Sequence, residues 1–209
     1  MSIFDHYTRD ELLQYLYTVS LRDIGFYRPV GSTLNFRIPL GAINSAAYTT
    51  SSSATDTLIA VPFCFPRGGA IDRLTAYVTT GIVGARVRLG IYTNKSDTDP
   101  YPLSLVVDSG ELSPETSSAE ITSTVSARLE PGRLYWSAII SNGTLATYRA
   151  LAVGSLFPIL GQDSSYTGTA HLNHWRHAQS YGALPSSFPD SARAATSGVS
   201  PCLFVRFSA

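Results

Sequence analysis

From Thr57 onward the chain repeats one pattern: a short run in which apolar and polar residues alternate, followed by a cluster of turn residues. A period of two belongs to a β-strand with one face buried, because successive side chains point to opposite sides of the pleat. Leu74, Ala76 and Val78 alternate with Arg73, Thr75 and Tyr77, and Ala85, Val87, Leu89 and Ile91 alternate with Arg86, Arg88 and Tyr92. The same reasoning predicts strands over 58–65, 71–79, 85–92, 103–109, 119–129, 134–140, 147–153 and 201–207. In the run from Leu134, the residues Leu134, Trp136, Ala138 and Ile140 share a face, and Trp136 is expected to fill the core of the sandwich. Breakers separate the runs, among them Pro66-Arg67-Gly68-Gly69, Asp108-Ser109-Gly110, Glu130-Pro131-Gly132 and Ser141-Asn142-Gly143. Helical crossovers, which parallel strands require, have no counterpart between these runs. The expected fold is therefore all-β, an antiparallel sandwich of jelly-roll type.

The flanks read differently. Thr8 and Glu11 have the spacing of a capping box, and Leu12, Leu13, Leu16 and Tyr17 then fall on one helical face, so a short amphipathic helix is predicted from Arg9 to about Ser20. A helix this short is marginal unless its apolar stripe docks on something, which makes Leu12, Leu13, Leu16 and Tyr17 candidate partner-binding residues. Phe26 to Ala47, broken by Pro29, Gly31, Pro39 and Gly41, reads as an extended arm. Residues 1–56 are thus expected to be an anchoring helix and arm, and residues 57–209 a sandwich domain. The domain carries a long insertion at about 154–200 that holds no clear strand and is too long for an ordinary connection.

Charge limits the partners. Fifteen basic and fifteen acidic residues cancel, which removes the field expected of a nucleic-acid binder or a polybasic membrane binder. No apolar run approaches the ~20 residues needed to span a bilayer, and residues 1–7 lack the pattern of a secretory signal, so manufacture in a cytoplasm is expected. Lys95 is the only lysine, the other basic residues are arginines, and there are twelve tyrosines. Interfaces exclude lysine and favour arginine and tyrosine, so this composition suits a protein surrounded by other proteins.

Residues able to carry chemistry are sparse. His171, His174 and His177 would reach one side of a helix and could there hold a transition metal, but no carboxylate or cysteine accompanies them. The preferred reading is a loop whose His174 and Trp175 pack against a partner, with no metal and no cofactor. Asn94 to Asp99 has the oxygen density of a calcium loop without its register, and reads as a solvated hairpin tip. Cys64 and Cys202, each beside apolar strand-like residues, are expected as buried free thiols. No nucleophile elbow, zinc-binding helix or phosphate-cradling glycine loop occurs, so an enzyme is not expected. Tyr166, Trp175 and Tyr181, placed around the loops, could stack on sugar rings.

The stretch from Gly69 to Ala152 resembles a β-sandwich module found in virion proteins of tailed bacteriophages. The resemblance is carried by the paired glycines before Ile71-Asp72-Arg73, the strand Ala85 to Tyr92, Pro102 after it, Asp108-Ser109-Gly110, and Pro131-Gly132 leading into Leu134-Tyr135-Trp136. It implies a non-enzymatic, trimeric virion component, assembled in the host cytoplasm. A capsid decoration or cement protein contacting the major capsid protein is the favoured role, because an anchoring segment runs directly into one sandwich. The alternative is a tail-fibre or receptor-binding module that recognises a host surface glycan.

Overall fold

A computed structural model describes residues 38–39, 48–52, 54–65, 68–144, 146–151, 174–195 and 200–208. The predicted N-terminal helix, with Leu12, Leu13, Leu16 and Tyr17, lies outside the described residues, as do His171 and Tyr166. Among the described residues thirteen strands run in chain order as β1 (Ile38–Pro39), β2 (Tyr48–Ser52), β3 (Thr57–Cys64), β4 (Gly69–Thr80), β5 (Val87–Asn94), β6 (Pro102–Asp108), β7 (Ala119–Leu129), β8 (Leu134–Ser141), β9 (Thr147–Leu151), β10 (His174–Ala178), β11 (Arg193–Ala195), β12 (Ser200–Pro201) and β13 (Leu203–Phe207). They form two antiparallel sheets packed as a sandwich.

The six-stranded sheet has the order β11-β10-β3-β8-β5-β6. In the seven-stranded sheet β4 is the spine: β7 pairs along one side of it, and β13 and β9 share the other. Between the sheets lie Ile59, Val61 and Phe63 of β3, Leu74, Ala76 and Val78 of β4, Val87, Leu89 and Ile91 of β5, and Leu203 and Val205 of β13. For β4 and β5 this is the inward face that alternation in the sequence indicates. Apart from Ala76, each such side chain contributes about 1.5–3 kcal/mol relative to leaving it in water. Pro131-Gly132 makes the predicted turn into β8, with Gly132 at φ 68° and its N–H donating to Phe65 O at 2.7 Å.

Three expectations need correction. First, the sandwich begins before Thr57: β1 and β2 fall within the segment read as arm and anchor, and they pair with β13 and β9. Second, the insertion at 154–200 contains strands. β10 lies beside β3, with Trp175 opposite Ala60 and His177 opposite Leu58, and β11 lies beside β10. Pro62 is accommodated in β3 because the pairing with β10 extends only to Ala60. Third, Trp136 does not fill the core between the sheets but belongs to a second apolar layer on the far face of the six-stranded sheet.

That second layer explains why β3 and β8 are buried along nearly their whole length. A strand covered on both faces reads as a continuous apolar run, and Leu58 to Phe65 is one. The cover is the segment 179–192 between β10 and β11, here termed the strap. It crosses the sheet from β10 to the opposite edge, where Leu105 N–H donates to Ser186 O at 2.9 Å and Phe188 N–H to Leu103 O at 2.7 Å. Its Leu184 and Phe188 pack on Leu58, Ala60, Tyr92, Trp136, Ala138 and Ile140.

Candidate interaction surfaces

The candidate residues of β10 alternate between the two layers. His174 faces inward and is 2% exposed; burial, with Arg176 nearby, pushes its imidazole pKa down to about 4. Trp175 faces the strap, its indole N–H donates to Pro100 O at 3.1 Å, and the Tyr101 ring meets it edge-on at 4.6 Å. His177 shares that outer side, with Nδ1 at 3.3 Å from Ser191 Oγ. A strand therefore sends His174 and His177 to opposite faces, where a helix would have brought them together, and the two cannot share one ion. Among the described residues no three His, Cys, Asp or Glu side chains converge as a metal site.

The polar handles of the second layer are engaged within the fold. Trp136 Nε1 donates to Asn94 Oδ1 at 3.0 Å, Tyr92 OH to Pro185 O at 2.9 Å, and Tyr101 OH to Pro189 O. Asp108 Oδ2 accepts from Arg88 at 2.6 Å and from Leu184 N–H at 3.1 Å. Asp56, whose backbone has a φ of 46°, accepts from Gln179 N–H at its carbonyl and from Tyr181 N–H at its carboxylate. Tyr181 OH donates to Glu111 at 3.2 Å; burial first, and that carboxylate second, push its pKa up to about 12. These groups hold the strap, and neither Trp175 nor Tyr181 stands as an open stacking platform.

The loop Asn94 to Asp99 is closed from within. Lys95 Nζ lies 2.6 Å from Asp99 Oδ2, Asn94 Nδ2 donates to Ser96 O at 2.5 Å, and Ser96 Oγ accepts from Asp99 N–H at 3.0 Å. A carboxylate already facing an ammonium is a poor calcium ligand. Cys64 and Cys202 are free thiols, and burial pushes the Cys202 pKa up to about 12.

The rest of the seven-stranded sheet carries hydroxyls and a few charges of both signs, among them the exposed Glu120 and Arg128 of β7, and its Thr75 is buried. On the outer face of the seven-stranded sheet Thr75 and Thr122 share a hydrogen bond at 3.0 Å, as do Thr79 and Thr147 at 2.7 Å. Arg149 sits 4.5 Å over the Tyr77 ring, and Arg206 grips Asp72 at both carboxylate oxygens, at 2.7 and 2.5 Å. Among the described residues β7 pairs with β4 alone, and its Thr124 and Ser126 are exposed. At one end of the sandwich the β4–β5 turn exposes Ile82 and Val83. Sequence reading passed over this pair; the available signal was two β-branched apolar residues in a turn position. No family model matches the chain and no curated protein matches it, so the chemistry of these surfaces stands alone beside the resemblance.

Proposed function

We propose that this chain is a non-catalytic structural protein of a tailed-phage virion, a decoration or cement protein that bridges and stabilises capsomers. The observation that supports it most is the outer side of the seven-stranded sheet, where Thr79 and Thr147 share a hydrogen bond and Arg206 is held by Asp72, so that part of its polar surface is already satisfied within the fold. Groups satisfied in this way lose less on desolvation when another protein covers them. The edge strand β7 adds a hydroxyl-bearing flank, with Glu120 and Arg128 near its two ends and without the lysines that usually discourage edge association. In this reading the sandwich assembles as a homotrimer and contacts the major capsid protein. Leu12, Leu13, Leu16 and Tyr17 anchor it to another virion subunit. Binding the assembled shell and not its free subunits stabilises the shell by mass action.

The test is localisation by cryo-electron microscopy together with light scattering of the purified protein. Density on the capsid surface in threefold clusters is the expected result. Density on the tail alone rejects the cement role, and specific binding on a glycan array assigns the chain to receptor recognition.

A further inference from the structure

Of the five asparagines in the chain, Asn142 alone is followed by glycine. Glycine has no side chain to shield its own peptide nitrogen, so at an Asn-Gly step the carboxamide carbon is most open to attack by the following backbone nitrogen. This step lies in the connection from β8 to β9, where Asn142 is half-buried and Gly143 exposed. There is room beside it: a Cβ built on Gly143 would meet nothing nearer than Thr55 Cγ2 at 3.7 Å.

The fold holds the carboxamide at both ends. Asn142 Oδ1 accepts from Arg86 N–H at 3.0 Å and from Thr144 N–H at 3.3 Å, while Nδ2 donates to Gly84 O at 3.0 Å. Donors on one atom and an acceptor on the other fix which end is oxygen. The backbone joins in, since Asn142 N–H donates to Arg86 O at 3.0 Å. Three of these four bonds cross to residues 84–86, so Asn142 clamps the β8–β9 connection to the β4–β5 connection. Attack requires the side chain to swing over the Gly143 nitrogen, which breaks its bonds to Gly84 and Arg86. Groups tied in this way part only in a local opening, and the reaction then runs at a rate set by that opening. In the opened state the Gly143 nitrogen gives up its proton and bonds to Asn142 Cγ, the bond from Cγ to the side-chain nitrogen breaks, and ammonia leaves a five-membered imide. Water adds to one of the two imide carbonyls and leaves aspartate or, with the backbone routed through Cγ, isoaspartate. One water is consumed, one ammonia is released and nothing is oxidised. Either product lacks the donor for Gly84 O and sets an oxygen against it, so the clamp does not re-form.

We propose that Asn142 is a deamidation site sealed by the fold, converted to aspartate or isoaspartate once its clamp to residues 84–86 opens. This holds whatever partner the chain meets. The test incubates the full chain in mildly alkaline buffer, native or unfolded in guanidinium chloride, and follows conversion by peptide mapping in a mass spectrometer and by enzymatic methylation of isoaspartate. In denaturant, residue 142 is expected to convert at least tenfold faster than any of Asn35, Asn44, Asn94 and Asn173, and at least tenfold faster than it does in the native protein. Gly143→Ala, which the space beside Thr55 admits, is expected to slow conversion in denaturant at least tenfold. Asn142→Asp is expected to melt at least about 3 °C below the native chain, because Gly84 O loses its donor and faces an oxygen. Equal rates in the native and unfolded protein overturn the seal. No excess at residue 142 in denaturant overturns the site, and a rate there that Gly143→Ala leaves unchanged overturns attack by the Gly143 nitrogen. Melting of Asn142→Asp together with the native chain overturns the clamp.

Discussion

At the scale of single residues, His174 gives the clearest physical consequence. It is a polar residue in a strand with polar residues on both faces, yet β10 turns it into the interior beside β3, where its pKa falls to about 4 from an ordinary 6.5. Between these values the unfolded chain binds the proton and the folded one does not, so stability falls as pH drops through that window. The full loss, below the lower value, is roughly 3 kcal/mol at 1.36 kcal/mol per unit. His174→Gln should flatten this part of the profile, which urea midpoints at pH 7 and pH 4.5 would reveal. An unchanged slope in that variant places the titration elsewhere. A slope surviving at lower pH belongs to carboxylates such as Asp72, whose pKa the Arg206 hydrogen bond lowers and whose stabilisation disappears as it is protonated.

At the scale of elements, the strap is the addition that periodicity did not reveal. Gly90 of β5 lies under it: a Cβ there would overlap Leu184 Cδ1 and stand 2.9 Å from Val107 O. Gly90→Ala should therefore lift the strap and strain β6, costing about 1–3 kcal/mol as overpacking does. Both tryptophans of the chain, Trp136 and Trp175, belong to this layer, so their emission should shift red as water enters. Adding Leu184→Ala should recover part of the loss by making room. Unchanged emission and midpoint in Gly90→Ala would mean that the strap does not sit on β5. The eight predicted strands are all present, because strands facing the inter-sheet core alternate in period two. β10 escaped because it reads His-Trp-Arg-His-Ala, with polar residues on both of its faces. β1, β11 and β12 are two or three residues long, too short to show a period. The strap had an indirect signature in the unbroken apolar run of β3, which calls for a cover on both sides. Ile82 and Val83 were legible as residues but not as a surface, since exposure of a turn depends on the neighbouring segments that brace it.

At the scale of the whole molecule, the question is where the folded unit starts. Composition placed the boundary at Thr57, after the breaker-rich segment, yet Tyr48–Ser52 pairs residue for residue with Thr147–Leu151, and Ile38–Pro39 pairs with Val205 and Phe204. Two truncations separate the possibilities. Removing residues 1–37 takes away the predicted helix and its stripe but none of the thirteen strands; if the stripe docks on another virion subunit, the isolated protein should melt within about 2 °C of the full chain, a difference worth under 1 kcal/mol at this size. The same truncation should abolish entry into particles. Removing residues 1–56 deletes β1 and β2 as well, leaving β9 with an unpaired edge and Val205 paired on its β4 side alone. Loss of seven paired residues at the sheet margin should cost about 2–3 kcal/mol and lower the melting temperature by about 5–10 °C. Equal melting of the two truncations would return the boundary to Thr57 and make β1 and β2 dispensable. A collapse of the fold on removing residues 1–37 alone would place Leu12, Leu13, Leu16 and Tyr17 in the protein's own core, and the anchoring role would then be wrong.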